Sequence, residues 1–97
     1  MAYRVVWSSK AIEDVDAIAT YIGRDSPSYA AAVVRKILDT SRSLQTCPFA
    51  GKHCAEFSDG TTLEKSAYTY RLIYRVTGET VVVAAIVHGK NLLDFDG

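Results

Sequence analysis

Apolar side chains recur three and four positions apart through Ala11, Ile12, Val15, Ile18, Ala19 and Ile22, the period of one helix face turned toward a core. Ser8 and Ser9 stand ahead of this stripe as caps. Glu13, Asp14 and Asp16 set negative charge toward the positive end of the helix, and Gly23 is expected to close it with a positive φ. A second stripe, Ala30, Val33, Val34, Ile37, Leu38, Ser41 and Leu44, begins behind Ser26-Pro27, a cap followed by proline at the first helical position. Arg35, Lys36, Asp39 and Arg42 fall mostly off it. Two striped helices separated by about four residues predict an antiparallel hairpin over a common core.

Elsewhere the period is two. Residues 3–7, Tyr-Arg-Val-Val-Trp, read as a first strand. After the helices, Thr46 to Lys52 is a loop anchored by Phe49, His53 to Phe57 is the candidate for a short edge strand, and Asp59-Gly60 marks a turn. Thr62 to Lys65 begins a strand, with Ser66 to Thr69 turning into the next. There Tyr70, Leu72, Tyr74 and Val76 point one way, while Arg71, Ile73, Arg75 and Thr77 point the other. Gly78-Glu79 is a hairpin turn, and Thr80 to His88, nearly all β-branched or small, reads as a central strand. The order β-α-α-β-β-β predicts an α+β domain: an antiparallel two-helix hairpin packed on one face of a mainly antiparallel three- to four-stranded sheet.

Composition agrees with a single unit. At 97 residues, 48% hydrophobic and 23% charged, the chain has room for one core, so residues 1–97 are expected to be one domain with 91–97 a short acidic tail. Eleven basic residues balance eleven acidic ones, which argues against a body that grips nucleic acid by charge alone. No signal peptide or membrane span is evident, so the expectation is a cytoplasmic protein without a membrane partner. Cys47 and Cys54, with His53, lack a fourth ligand; no metal and no cofactor are expected.

The stretch Tyr68 to Arg75 holds the candidate chemistry. Arg71 and Arg75 share a face and carry guanidinium forks that match phosphate or carboxylate, and the neighbouring tyrosines can stack or donate. The alternative is a wet sheet face on which arginine pairs with Glu56, Glu64 or Glu79. His88 ends the neighbouring strand. Should the register bring it near Arg71, the set His88, Arg71, Tyr70 and Lys90 has the groups for metal-free phosphodiester cleavage, a base beside cations that hold developing charge. A structural histidine bonded to backbone is the plainer reading. No P-loop, GxGxxG, HExxH or nucleophile-elbow pattern occurs.

Five segments in order carry a family resemblance: Ala11-Ile12-Glu13-Asp14-Val15-x-x-Ile18-x-x-Tyr21-Ile22, Ser26-Pro27-x-x-Ala30, Leu44-x-x-x-Pro48-x-x-Gly51, Tyr70-Arg71-Leu72-Ile73-Tyr74-Arg75-Val76, and Val81-x-x-x-Ala85-Ile86-Val87-His88-Gly89-Lys90. Over residues 3–90 the chain resembles the ParE/RelE superfamily of type II toxins, often labelled plasmid stabilisation proteins. The resemblance implies the same fold and a cognate antitoxin bound in a hetero-oligomer, with Ile18, Tyr21, Ile22, Val34 and Leu38 of the helical hairpin as its contacts. It implies an active face of Arg71, Arg75, His88 and Lys90.

Two activities follow from the resemblance. ParE-like members inhibit DNA gyrase, whereas RelE-like members are endoribonucleases that cut mRNA in the ribosome. The Tyr-Arg-Leu-Ile-Tyr-Arg strand and the His-Gly-Lys ending look more like the first. Without the tail acids Asp94 and Asp96 the balance is 11 basic to 9 acidic residues, only +2, which suits a protein target better than dense RNA. The chain departs from many ParE-like members at Thr62-Leu63-Glu64, where an Arg-Glu-Leu segment is usual, and over Lys52 to Thr61. A third reading follows from that: a weakened toxin acting mainly as an antitoxin-binding protein, its acidic end folding back against Arg71.

Overall fold

The computed structural model describes residues 2–57 and 59–89. Its elements run β1 (Arg4–Trp7), α1 (Ser9–Gly23), α2 (Pro27–Ser43), β2 (Lys52–His53), β3 (Thr62–Ala67), β4 (Tyr70–Thr77) and β5 (Thr80–His88). The strands form one sheet ordered β1-β5-β4-β3-β2, antiparallel except where β1 runs parallel to β5. The α+β architecture is the expected one, with the two-residue β2 as a fifth strand.

α1 completes an edge that β1 leaves unfinished. β1 pairs with β5 only from Arg4 opposite Thr80 to Trp7 opposite Val83. Beyond it, the Ser8 N–H donates to the Val83 carbonyl at 2.9 Å, the Ser8 hydroxyl donates to the Ala84 carbonyl at 2.8 Å, and the Ile86 N–H donates to Asp14 Oδ2 at 3.0 Å. The Ser8 oxygen also accepts the Ala11 N–H at 3.0 Å, which caps α1. Asp14 therefore serves the sheet edge and the Lys10 ammonium at 3.0 Å; α1 has no acid in its first turn.

The helical hairpin covers one sheet face. Ala11, Val33 and Ile37 bury against Ala67, Leu72, Val83 and Ile86, while Leu44, Leu63, Tyr74 and Val81 form a second cluster. Burial of each valine, leucine or isoleucine among them is worth about 1.5–3 kcal/mol. Two expectations change here. Gly23 is the last helical residue, and the chain leaves α1 through Arg24 in the right-handed region, so no positive φ is needed. Ile12, at 58% exposure, faces solvent.

The opposite face is not wet. Cys54, Ile73 and Ala85 are buried there, with Phe57 and Val87 packed against them. Ile73, Ala85 and Val87 make an apolar strip, and the loop after β2 folds across it. This is why the edge strand stops at His53: the Phe57 N–H turns back to the Cys54 carbonyl at 3.1 Å, where a strand through Phe57 would leave the strip uncovered. The alternation along β4 holds, although a register shift between Ile73 and Tyr74 places an extra residue in β5.

Both long hairpins have two-residue loops. Between β4 and β5, Gly78 has φ +59°, as a II′-type turn requires at its first central position. Between β3 and β4 the turn is Tyr68-Thr69, shorter than the four residues expected, and Tyr68 takes that same position with φ +56°. A left-handed backbone costs a residue with a Cβ about 1–2 kcal/mol.

Candidate functional site

Arg71 is held between two carboxylates. From β4 its Nη1 donates to Glu64 Oε2 on β3 at 2.7 Å and to Glu56 Oε1 at 3.1 Å, and its Nη2 donates to Glu56 Oε2 at 2.7 Å. All three side chains are largely buried. The guanidinium bonds hold the Glu56 carboxyl down at about 2 against the opposing effect of burial, and the two acids push Arg71 upward. The Cys54 thiol donates to Glu56 Oε1 at 3.4 Å, and burial pushes that thiol up. Among the described residues two carboxylates face this one guanidinium, so the cluster leans acidic.

Arg75 is also engaged. Its Nε donates to the Thr62 hydroxyl at 3.0 Å, its guanidinium lies 5.7 Å from the centre of the Phe57 ring, and Asp59 Oδ2 is 3.9 Å away. The Thr61 N–H and the Thr62 backbone and hydroxyl hold Asp59 at about 2. The pairing with Glu56 and Glu64 anticipated from sequence is therefore present for Arg71, and Glu79 takes no part in it.

A cleft of about 320 Å³ opens at the end of β4 and β5, lined by Lys52, Ser66, Tyr68, Thr69, Tyr70, Arg71, His88 and Gly89. The register places His88 opposite Tyr70 and Val87 opposite Arg71, so His88 and Arg71 leave the sheet on opposite faces and both line the cleft at its end. The His88 ring stands edge-to-face on Tyr70 with centroids 5.4 Å apart. Burial, with Tyr29 and Tyr21 nearby, pushes the Tyr70 hydroxyl up. His88, Tyr70 and Arg71 are brought together; Arg75 is not among the lining residues. Lys90 and the acidic tail lie outside the described residues. Lys52 and Ser66 were missed as site candidates because only the cross-strand register carries them there, whereas Tyr68 belongs to the stretch singled out from the sequence.

The helical hairpin presents a second feature on its far side. Ala19, Ala30, Ala31, Val34 and Leu38 line an apolar groove of about 430 Å³ with Arg35 and Arg42. Small side chains at 19, 30 and 31 open it. Of the residues expected on this surface, Val34 and Leu38 line the groove, Ile18 and Ile22 pack against the core, and Tyr21 is 73% exposed. His53 is exposed on β2. Both cysteines are free, Cys47 exposed and Cys54 buried. Among the described residues no three metal-ligating side chains converge, and no helix is long and apolar enough to cross a membrane.

The fold is thus a strand, a two-helix hairpin and an antiparallel meander whose last strand returns beside the first. The family profile described as the ParE toxin of the type II toxin-antitoxin system parDE matches residues 5–93, and the chain belongs to that family. Among solved structures, it is similar to the chromosomal ParDE system of Pseudomonas aeruginosa with a TM-score of 0.74 and 21% identity, over 90% of this chain and 96% of that one. The RelBE2 toxin-antitoxin complex of Mycobacterium tuberculosis aligns with a TM-score of 0.62 and 26% identity, over 91% and 99% of the two chains. A YoeB/ParE toxin from Agrobacterium tumefaciens aligns with a TM-score of 0.62 and 21% identity, over 88% and 96%. No curated protein matches by sequence.

Proposed function

We propose that the chain is the toxin of a type II pair that inhibits DNA gyrase in the cytoplasm and is neutralised by a cognate antitoxin. The single observation that carries the choice of target is the closure of Arg71 by Glu56 and Glu64 at 2.7 Å. An enzyme that binds and cuts RNA needs cations aimed at phosphate. Here the strand arginine that would supply one is bonded to two carboxylates among the described residues, and Arg75 is spread over Thr62, Phe57 and Asp59. A protein target makes no such demand. The cleft with Lys52, Tyr70 and His88 is the target-facing end.

The antitoxin contact belongs on the helical hairpin. A helix with an apolar face and acidic flanks fits a groove floored by Ala30, Val34 and Leu38 and rimmed by Arg35 and Arg42. Tyr21, two residues on from the groove-lining Ala19, lies on the other side of α1 and outside this groove.

A second reading, metal-independent cleavage of mRNA on the ribosome, draws on His88 in contact with Tyr70 at the cleft. Purified chain assayed for gyrase supercoiling and trapped DNA cleavage, beside mRNA cleavage on translating ribosomes, separates the two. Gyrase inhibition with intact mRNA is the expected result, and cut mRNA with active gyrase overturns it. Inactivity in both, with harmless expression in cells, leaves an antitoxin-binding protein.

A further inference from the structure

The two hairpins of the meander use different residues at one backbone position. Gly78 fills the left-handed site between β4 and β5, whereas Tyr68 fills it between β3 and β4. Glycine is the residue that suits the site, and nothing in the packing requires a tyrosine: its side chain is 57% exposed. The turn is also held in place, because the Gly89 N–H donates to the Thr69 carbonyl, tying it to the end of β5. An unfavourable backbone, an exposed ring and a fixed position coincide at the rim of the cleft that holds Lys52, Tyr70 and His88.

We propose that Tyr68 is a target-contacting anchor, presented on a strained turn to a segment of the target protein that offers backbone carbonyl acceptors. The inference rests on the toxin reading above and adds to it a contact residue and the chemistry of the contact. Tyrosine buries much area at an interface for few torsions fixed, which is why it recurs among energetic hot spots. The acceptor follows from the rim: the Lys52 ammonium and the Ser66 and Thr69 hydroxyls are donors, while the Glu56 and Glu64 carboxylates around Arg71 disfavour a further negative charge. Local strain retained where it does not serve stability is the signature of a functional position.

The test sets stability against activity. Tyr68→Gly relieves the turn, so its Tm should rise, by about 4 °C or more for a domain of this size. Its growth arrest on induced expression and its gyrase inhibition should fall at least tenfold, with antitoxin affinity unchanged. Tyr68→Phe, equally strained, should keep most of the activity, and Lys52→Glu should lose it. A Tyr68→Gly chain that is stabilised and still fully toxic overturns the inference, as does one whose Tm falls. Should the natural chain arrest growth without inhibiting gyrase, and Tyr68→Gly abolish that arrest, the anchor stands and the gyrase reading fails. Loss of ribosomal mRNA cleavage in Tyr68→Gly overturns the protein partner in favour of base stacking.

Discussion

The Tyr74 hydroxyl accepts the Gly51 N–H at 3.0 Å, joining the loop after α2 to the middle of β4. Tyr74 is fully buried, and a Cβ at position 51 would lie 2.4 Å from the Glu64 carbonyl oxygen and 2.5 Å from that hydroxyl. Tyr74→Phe leaves a half-buried N–H without its acceptor and should cost about 1–3 kcal/mol. Gly51→Ala should cost more, because backbone has to move. Urea unfolding of both variants beside the natural chain measures this.

Acid should weaken the clamp on the outer sheet face. Glu56 sits at about 2 in the folded chain against an ordinary 4.5, so its folded value is depressed. Its stabilisation is complete above about pH 4.5 and is lost as pH falls from there toward 2. Glu56→Gln should flatten the decline of unfolding free energy across that window. A residual slope should remain from Asp59, which is likewise held at about 2.

Arg71→Ala tests the clamp and only indirectly the activity. Removing the cation leaves Glu56 and Glu64 facing each other, largely buried, a change expected to cost about 3–5 kcal/mol. The triple variant Arg71→Met, Glu56→Gln, Glu64→Gln should recover most of that in thermal unfolding. Toxicity lost in the single variant but regained in the triple would mark Arg71 as a positioning residue for the loop.

On the helical hairpin, Leu38 lines the groove at 39% exposure. Leu38→Glu should change stability by less than about 0.5 kcal/mol, as surface changes usually do. It should lower antitoxin affinity at least tenfold by placing charge in an apolar contact. Titration calorimetry against the cognate antitoxin reads the effect directly.

The helices and β4 were legible because each repeats a period over many residues, and the caps Ser8 and Ser26 act as the sequence suggested. Asp14 was misread, since local charge rules do not include a sheet edge 72 residues further along the chain. The loop over the outer face was missed for a related reason: Cys54, Glu56 and Phe57 have no period, and what orders them is the apolar strip and Arg71 beneath. Of the site, His88 beside Tyr70 depends on the extra residue in β5: pairing carried straight through from the two-residue turn would set Val87 opposite Tyr70. Lys52 joins the site through register, which composition does not encode, and Tyr68 through the turn that leads into β4. The turn was drawn too long because Tyr68 is among the residues least suited to its conformation.

The parallel pairing of β1 with β5 also bears on synthesis. Ser8 reaches a partner 76 positions later, so a chain emerging from the ribosome holds β1 unmatched until β5 has been made. Contacts this distant in sequence form late and slowly. Growth of the nascent chain therefore delays a finished toxin by design of its topology, and a message broken before the codons for β5 yields a fragment that lacks the partner its opening strand needs.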